Sequence, residues 1–330
     1  MSDASTRGPF GPSASWDVLR KRAALLHAVR EFFENRGFLE VETPALSADT
    51  VVDRHLDPFC VEVEPADALG SARRYWLQTS PEFGMKRLLA AGATAIYQIC
   101  HAFRRQERGP LHNPEFTLVE WYRAGDSMQQ GMQLLDDLCQ ALLARGPAEQ
   151  LSYSQVFRQY VGVDPLAADD AALCQAARRW AIAVPSSLAP DDRDGWLDLL
   201  LAERVQPHLG RGRPVIVYDY PPSQAALARV RPGPPPVAER FELYVDGIEL
   251  ANGYHELLSA EELRDRIRRN NLWRQRDGKE PLPEESRLLW AMEAGLPPCT
   301  GCALGFDRLV MVATGAATLD QVLAFPFERA

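Results

Sequence analysis

Apolar residues recur along this chain first at helical spacing and then at strand spacing. Leu19, Ala23, Leu26, Val29 and Phe33 fall three or four apart, which is the stripe of one helix face. Ser15 stands where a cap would accept the first free amides, and Gly37 where the chain would turn out. The pattern predicts a helix over 16–36, then a strand over 38–42 stopped by Pro44. Segments 96–104 and 116–123 read as two strands joined by a polar loop holding Gly109, Pro110 and Pro114. Residues 127–210 read as mostly helical, with Leu134, Leu138 and Leu142 on one face, and 215–218 as a short buried strand. The Pro-rich run 231–236 is a stiff loop, followed by a hairpin over 241–252. Helices over about 260–277 and 284–294, a glycine-rich strand over 300–305 and a terminal helix complete the chain. Strands that follow one another in hairpins imply an α+β fold, an antiparallel β-sheet flanked by helices.

Bulk numbers narrow the class. With 330 residues, 46% of them hydrophobic, the chain can bury a substantial core. A net charge of −9 excludes a global basic field for nucleic acid, although arginine greatly outnumbers lysine, of which only Lys21, Lys86 and Lys279 occur. No stretch reaches the roughly 18 apolar residues of a membrane span, and the first fifteen residues lack the apolar centre of a signal peptide. They read as a flexible tail. Six scattered cysteines suit a reducing cytoplasm. Cys299 and Cys302 have metal or redox spacing but no second pair, and the glycines around them indicate a tight structural turn.

Two segments carry candidate chemistry. In the hairpin, Asp246-Gly247 signals a type I′ turn. That turn would pair Val245 with Ile248, Tyr244 with Glu249 and Leu243 with Leu250, leaving Glu242, Tyr244, Glu249 and Ala251 on one face. Glu242 and Glu249 would then repel unless a cation lay between them. A Mg²⁺ site and a solvated polar face both satisfy that requirement. On the strand over 116–123, Phe116, Leu118, Glu120 and Tyr122 share a face, an order suited to stacking a base and holding an amine. Arg104 would point into the same space, and Gly301 to Gly305 would let backbone approach a ligand before Arg308 projects from a helix start.

Together these pieces resemble class II aminoacyl-tRNA synthetases. The helix and strand ending at Pro44 are similar to motif 1. Phe103-Arg104 with His112-Asn-Pro-Glu-Phe116 is similar to motif 2, and Gly301-x-x-x-Gly305-x-Asp307-Arg308 to motif 3. Thr79-Ser-Pro-Glu82, Glu249-Leu-Ala-Asn-Gly253 and Glu256 place the resemblance in the lysyl-tRNA synthetase branch, over nearly the whole chain from residue 16. The resemblance implies a catalytic domain over 16–330, a homodimer, and ATP with Mg²⁺ as cofactors. It implies Arg104, Glu249 and Arg308 as catalytic residues, and Glu242 and Glu249 as metal ligands. Arg105, Gln106, Glu107, His112, Asn113, Phe116, Leu250 and Gly305 would join Arg104, Glu249 and Arg308 around ATP. Ser80, Pro81, Glu82, Glu120, Tyr122, Asn252, Glu256 and Ala303 would form the amino-acid pocket. The family pattern has Glu two places after the motif 2 arginine, where this chain has Gln106 and then Glu107, so either residue could take that role.

The branch's anticodon-binding OB-fold module has no room ahead of Trp16, so no anticodon-type tRNA binding is expected. That architecture is similar to branch paralogues that transfer (R)-β-lysine to a lysine of elongation factor P. Ala303, where lysyl-tRNA synthetases carry glycine, would reshape the pocket wall by one methyl. Charging of an RNA, or ATP binding without catalysis, are the alternatives.

Overall fold

The structure, a computed structural model, describes residues 10–64 and 73–330; the first nine residues of the expected tail lie outside it. The chain forms two compact units. The first takes residues up to Gly125, Leu258–Cys299 and Ala303–Ala330, and the second takes Asp126–Leu257 with Thr300–Cys302.

In the first unit, helix α1 (Trp16–Glu34) is followed by strands β1 (Leu39–Glu40), β2 (Leu46–Ser47), β3 (Cys60–Val63) and β4 (Arg73–Leu77). Helix α2 (Glu82–Ala90) leads to the long strands β5 (Ala95–Phe103) and β6 (Glu115–Ala124). The second unit holds α3 (Met128–Leu143), β7 (Glu149–Ser152), α4 (Tyr153–Tyr160), α5 (Asp170–Arg179) and α6 (Arg193–Leu200). It continues through β8 (Val215–Tyr220), β9 (Val230–Arg231), β10 (Val237–Val245) and β11 (Ile248–His255). The chain then returns to the first unit with α7 (Ala260–Arg276), α8 (Arg287–Gly295), the ends of β12 (Cys299–Gly305) and α9 (Phe306–Thr314).

Ser15 caps α1 by accepting the Val18 amide, as its position predicts. The buried stripe is rotated from the predicted one. Val29 and Phe33 are buried, but Leu25 and Phe32 join them while Ala23 is exposed. Tertiary packing explains the rotation: Phe33 stacks on Tyr97 of β5 at 4.7 Å and lies 5.2 Å from Trp121 of β6. The helix therefore turns its C-terminal aromatics onto the β5–β6 ladder. That ladder is antiparallel, from Ala95 opposite Arg123 to Phe103 opposite Glu115. Strand β1, shorter than the predicted 38–42, pairs with β5 in parallel. Strands β2, β4 and β3 form a separate antiparallel sheet that the pattern did not predict.

In the second unit β10 lies between β11 and β8, both antiparallel to it, while β7 adds to β8 in parallel. The expected antiparallel sheet is thus mixed, with parallel pairs at β1–β5 and β7–β8. Helices α4, α5 and α6 close over one face of this sheet around Tyr153, Phe157, Leu197 and Tyr220. Strand β7 falls within the stretch read as helical. Glu149-Gln-Leu-Ser carries one apolar residue, so its state is set by the free edge of β8 and not by its own pattern. Among the described residues no helix is long and apolar enough to cross a membrane.

Candidate active site

Motif-bearing residues of the first unit gather at both ends of one face of β6. At the N-terminal end, the Arg104 guanidinium lies 4.9 Å from the centre of the Phe116 ring, within cation–π range. Its nearest carboxylate is Glu107, at 3.7 Å, and its buried Nε has no hydrogen-bond partner. Donor capacity is left over, which suits a phosphate group. Of the two residues open to the motif 2 glutamate role, Glu107 is the one beside Arg104. Gln106 sits exposed at a left-handed φ of 69°. The Arg105 side chain is also exposed.

Arg308, in the first turn of α9, donates from Nε to the Leu111 carbonyl at 3.1 Å and from its terminal nitrogen to Nε2 of His112 at 2.7 Å. Burial, then the Arg308 and Arg104 guanidiniums, hold His112 below the usual histidine range, opposed by Glu107. A neutral imidazole can accept the Arg308 hydrogen bond there. Asp307, the residue before Arg308, anchors the start of α9. It is buried, accepts the Thr117 amide of β6 at 2.9 Å and pairs with Arg22 of α1 at 2.6 Å. Arg22 also donates to the Thr117 hydroxyl at 2.8 Å, so one carboxylate ties α1, β6 and α9 together. The Asn113 amide is spent inside the protein, donating to the Glu115 carbonyl at 2.7 Å and accepting the Phe327 amide at 3.1 Å. Asn113 thereby anchors the loop, with one of its two N–H donors and its carbonyl oxygen engaged inside the protein.

At the other end, Pro81 opens α2 and Ser80 lies just before it. The Ser80 hydroxyl accepts the Glu82 amide at 3.0 Å and donates to Glu120 Oε2 at 2.7 Å. Tyr122 donates to Glu120 Oε1 at 2.6 Å. Glu120 is 1% exposed. Burial first, and the charge of Glu82 second, push its carboxyl up to about 7, against the hydrogen bonds of Tyr122 and Ser80 and the attraction of Lys86. Lys86, one turn along α2, pairs with Glu82 at 2.5 Å. Sequence reading missed this lysine, although its i,i+4 spacing from Glu82 was visible.

The second unit holds the hairpin. Asp246 and Gly247 both adopt positive φ, the backbone of a type I′ turn. Val245–Ile248 and Tyr244–Glu249 pair as predicted, but a bulge then sets Leu243 opposite Ala251, Glu242 opposite Asn252 and Arg240 opposite Tyr254. The predicted Leu243–Leu250 pair does not form. The extra residue moves Asn252 and Tyr254, in place of Ala251, onto the face of Glu242. At the same bulged pair a Cβ on Gly253 would come within 2.4 Å of the Phe241 ring, so only glycine fits there.

Glu242 accepts three hydrogen bonds. Arg240 donates to its Oε1 at 2.5 Å, Tyr220 to its Oε2 at 2.6 Å, and Tyr244 also to Oε2. Arg240 reaches on to Asn252 at 3.1 Å and the Gln224 carbonyl at 2.8 Å. Burial opposes the Arg240 charge, but Glu242 and its neighbours hold it well above the usual arginine range. Glu242 at 3% exposure corrects the expectation of a solvated face; as the expected metal ligand it already accepts three hydrogen bonds inside the protein. Glu249 is half-buried, Leu250 and Glu256 buried, and Asn252 half-buried beside Arg240. Ala303 and Gly305 are half-buried positions at the end of β12. Cys299 and Cys302 are buried and form no disulfide. Among the described residues no group of three or more His, Cys, Asp or Glu could hold a metal ion.

The first unit thus presents arginines, an aromatic ring and a neutral histidine at one end of a strand face, and paired carboxylates at the other. That is equipment for an anion with a flat base and for an amine. The family model for class II tRNA synthetases (D, K and N) matches residues 13–329. Proteins named elongation factor P–(R)-β-lysine ligase are similar throughout. The protein from Sodalis glossinidius is 48% identical and that from Klebsiella pneumoniae 46%, each alignment covering 100% of both chains. The protein of that name from Salmonella arizonae is likewise 46% identical over the full length of both.

Proposed function

This chain belongs to the class II tRNA synthetases of the D, K and N group, and from that premise we propose that it is an ATP-dependent ligase joining (R)-β-lysine to a lysine of elongation factor P. The observation that carries the reading is the single face of β6. Phe116 and Glu120 stand four residues apart on it, about 13 Å at the rise of a strand, a separation suited to a base at one end and a substrate amine at the other. Full-length similarity to ligases of that name supports the substrate pair.

In the first step a carboxylate oxygen of β-lysine attacks the α-phosphorus of ATP and pyrophosphate leaves. Arg104 neutralises charge on the phosphoryl oxygens, Phe116 stacks on the adenine, and Arg308, held by the Leu111 carbonyl and His112, covers the nucleotide. Glu82 and Glu120, with Ser80 and Tyr122, hold an ammonium group of the substrate. In the second step the ε-amine of the acceptor lysine attacks the adenylate carbonyl; an amide forms and AMP departs. ATP brings Mg²⁺ as its own counter-ion. Glu249 is the hairpin carboxylate assigned to it, and no step is routed through Glu242. Asn252, Glu256 and Ala303 are assigned to the amino-acid pocket, and Leu250 and Gly305 to the ATP site.

We also expect a homodimer, supported by Trp16, Leu39 and Leu46, large apolar side chains left exposed in the motif 1 region. A cytoplasmic location suits this substrate pair. Intact-mass measurement of elongation factor P after incubation with the enzyme, ATP and each lysine isomer tests the proposal. One added β-lysyl group is expected. Transfer of labelled lysine to RNA with an unchanged elongation factor P would refute it.

A further inference from the structure

We propose that Lys86 is a positioning residue of the amine subsite: its buried ammonium holds one oxygen of Glu82 and offsets the joint charge of Glu82 and Glu120, so that these two carboxylates are poised for one substrate ammonium. The inference rests on the amine subsite assigned above. An i,i+4 ion pair on a helix is ordinarily a surface feature of small worth. This one is different. The Lys86 side chain is 3% exposed and that of Glu82 10%, and the ammonium lies 6.0 Å from the centre of the Tyr122 ring, whose hydroxyl holds Glu120.

Three ionisable groups buried together cost more in desolvation than apolar side chains of the same volume would, so stability alone gives no reason for them. A recognition role does. Two adjacent buried carboxylates with no fixed cation would share a proton, and the neutral member would no longer attract an amine. Lys86 bonds Oε1 of Glu82, and no hydrogen bond to Oε2 of Glu82 occurs among the described residues, leaving that oxygen for a ligand. Within this unit Glu82, Glu120 and Lys86 sum to one negative charge, which one ammonium neutralises. Tyr122 on its own strand and Cys100 on β5 are further titratable groups of this unit that face Glu120. The Cys100 thiol is pushed up to about 12 by burial and then by Glu120, so it stays neutral.

The test is ATP–pyrophosphate exchange dependent on β-lysine, followed from pH 6 to 8.5 in the wild type and in Lys86→Met, a replacement of similar volume. The KM for β-lysine should rise about 10- to 100-fold at pH 7. The KM for ATP should not change, and the defect should shrink toward pH 8.5 as the shared proton is lost. An unchanged KM for β-lysine, or an equal rise for ATP, would overturn the proposal. If Lys86→Met does not fold, Lys86→Gln is read in the same way. A second measurement needs no amine substrate: carbon-13 NMR titration of the Glu120 carboxyl in the free enzyme. Its midpoint should move upward in the variant, and an unmoved midpoint sinks the idea. Should the wild type show no exchange with β-lysine, the substrate assignment fails while the NMR titration still decides the role of Lys86.

Discussion

Glu120 in the first unit and Glu242 in the second are both buried glutamates on strands, yet their surroundings make them opposites. Glu242 receives a guanidinium and two phenols, which engage both of its oxygens. Glu120 receives one hydroxyl and one phenol and faces the like charge of Glu82. The first arrangement is closed and holds the fold; the second is short of positive charge and waits for it. Burial alone does not mark a functional carboxylate. The informative quantity is how much of its demand for cations the protein itself meets.

The largest expected effect breaks the closed site. Glu242→Gln leaves Arg240 buried without its counter-charge and should destabilise the second unit by about 3–5 kcal/mol, read as a lowered denaturation midpoint. If that variant keeps wild-type stability but loses ATP binding, Glu242 is a metal ligand after all. Glu120→Gln should act in the opposite sense. The raised Glu120 carboxyl binds its proton more tightly in the folded than in the unfolded chain, so its contribution to stability falls as pH rises from its unfolded value toward about 7. At pH 8 the variant should be more stable than the wild type while binding β-lysine about 30-fold more weakly or worse, by calorimetry.

The same carboxyl predicts a pH profile. Affinity for β-lysine should be flat above pH 7 and should weaken as pH falls through about 7, where Glu120 takes up its proton. A flat profile down to pH 5.5 would mean that Glu120 stays ionised, and that the contrast with Glu242 is overdrawn. The smallest effect is expected from Ser80→Ala. It removes one neutral donor to Glu120 and should weaken β-lysine binding only several-fold, or about 1 kcal/mol. A loss as large as that of Glu120→Gln would assign Ser80 a direct contact with substrate.

Much of this is legible in the sequence. The alternation of Phe116, Leu118, Glu120 and Tyr122, the Asp246-Gly247 turn and the cap at Ser15 are local signals, and all three are present in the structure. So is the pairing of residues 95–103 with 115–124, since both strands are long and bounded by a loop rich in turn residues. Local pattern failed where a distant partner decides the outcome. Strand β7 exists because β8 offers an edge, and α1 rotates because Tyr97 and Trp121 receive Phe33.

Sequence alone determined which residue types are available and at what spacing: the motif arginines, the stacking phenylalanine and the acids of the amine subsite. Side-chain period on a strand and turn preference are properties of a few consecutive residues, so they survive without tertiary context. Only the tertiary structure decided which acid is satisfied and which is not. A one-residue bulge turned Asn252 and Tyr254 toward Glu242 and Arg240, and the packing of α2 on β6 brought the Glu82–Lys86 pair to Glu120. Charge compensation in a protein interior depends on neighbours far apart in the chain and on the water they exclude, and neither is written in local spacing.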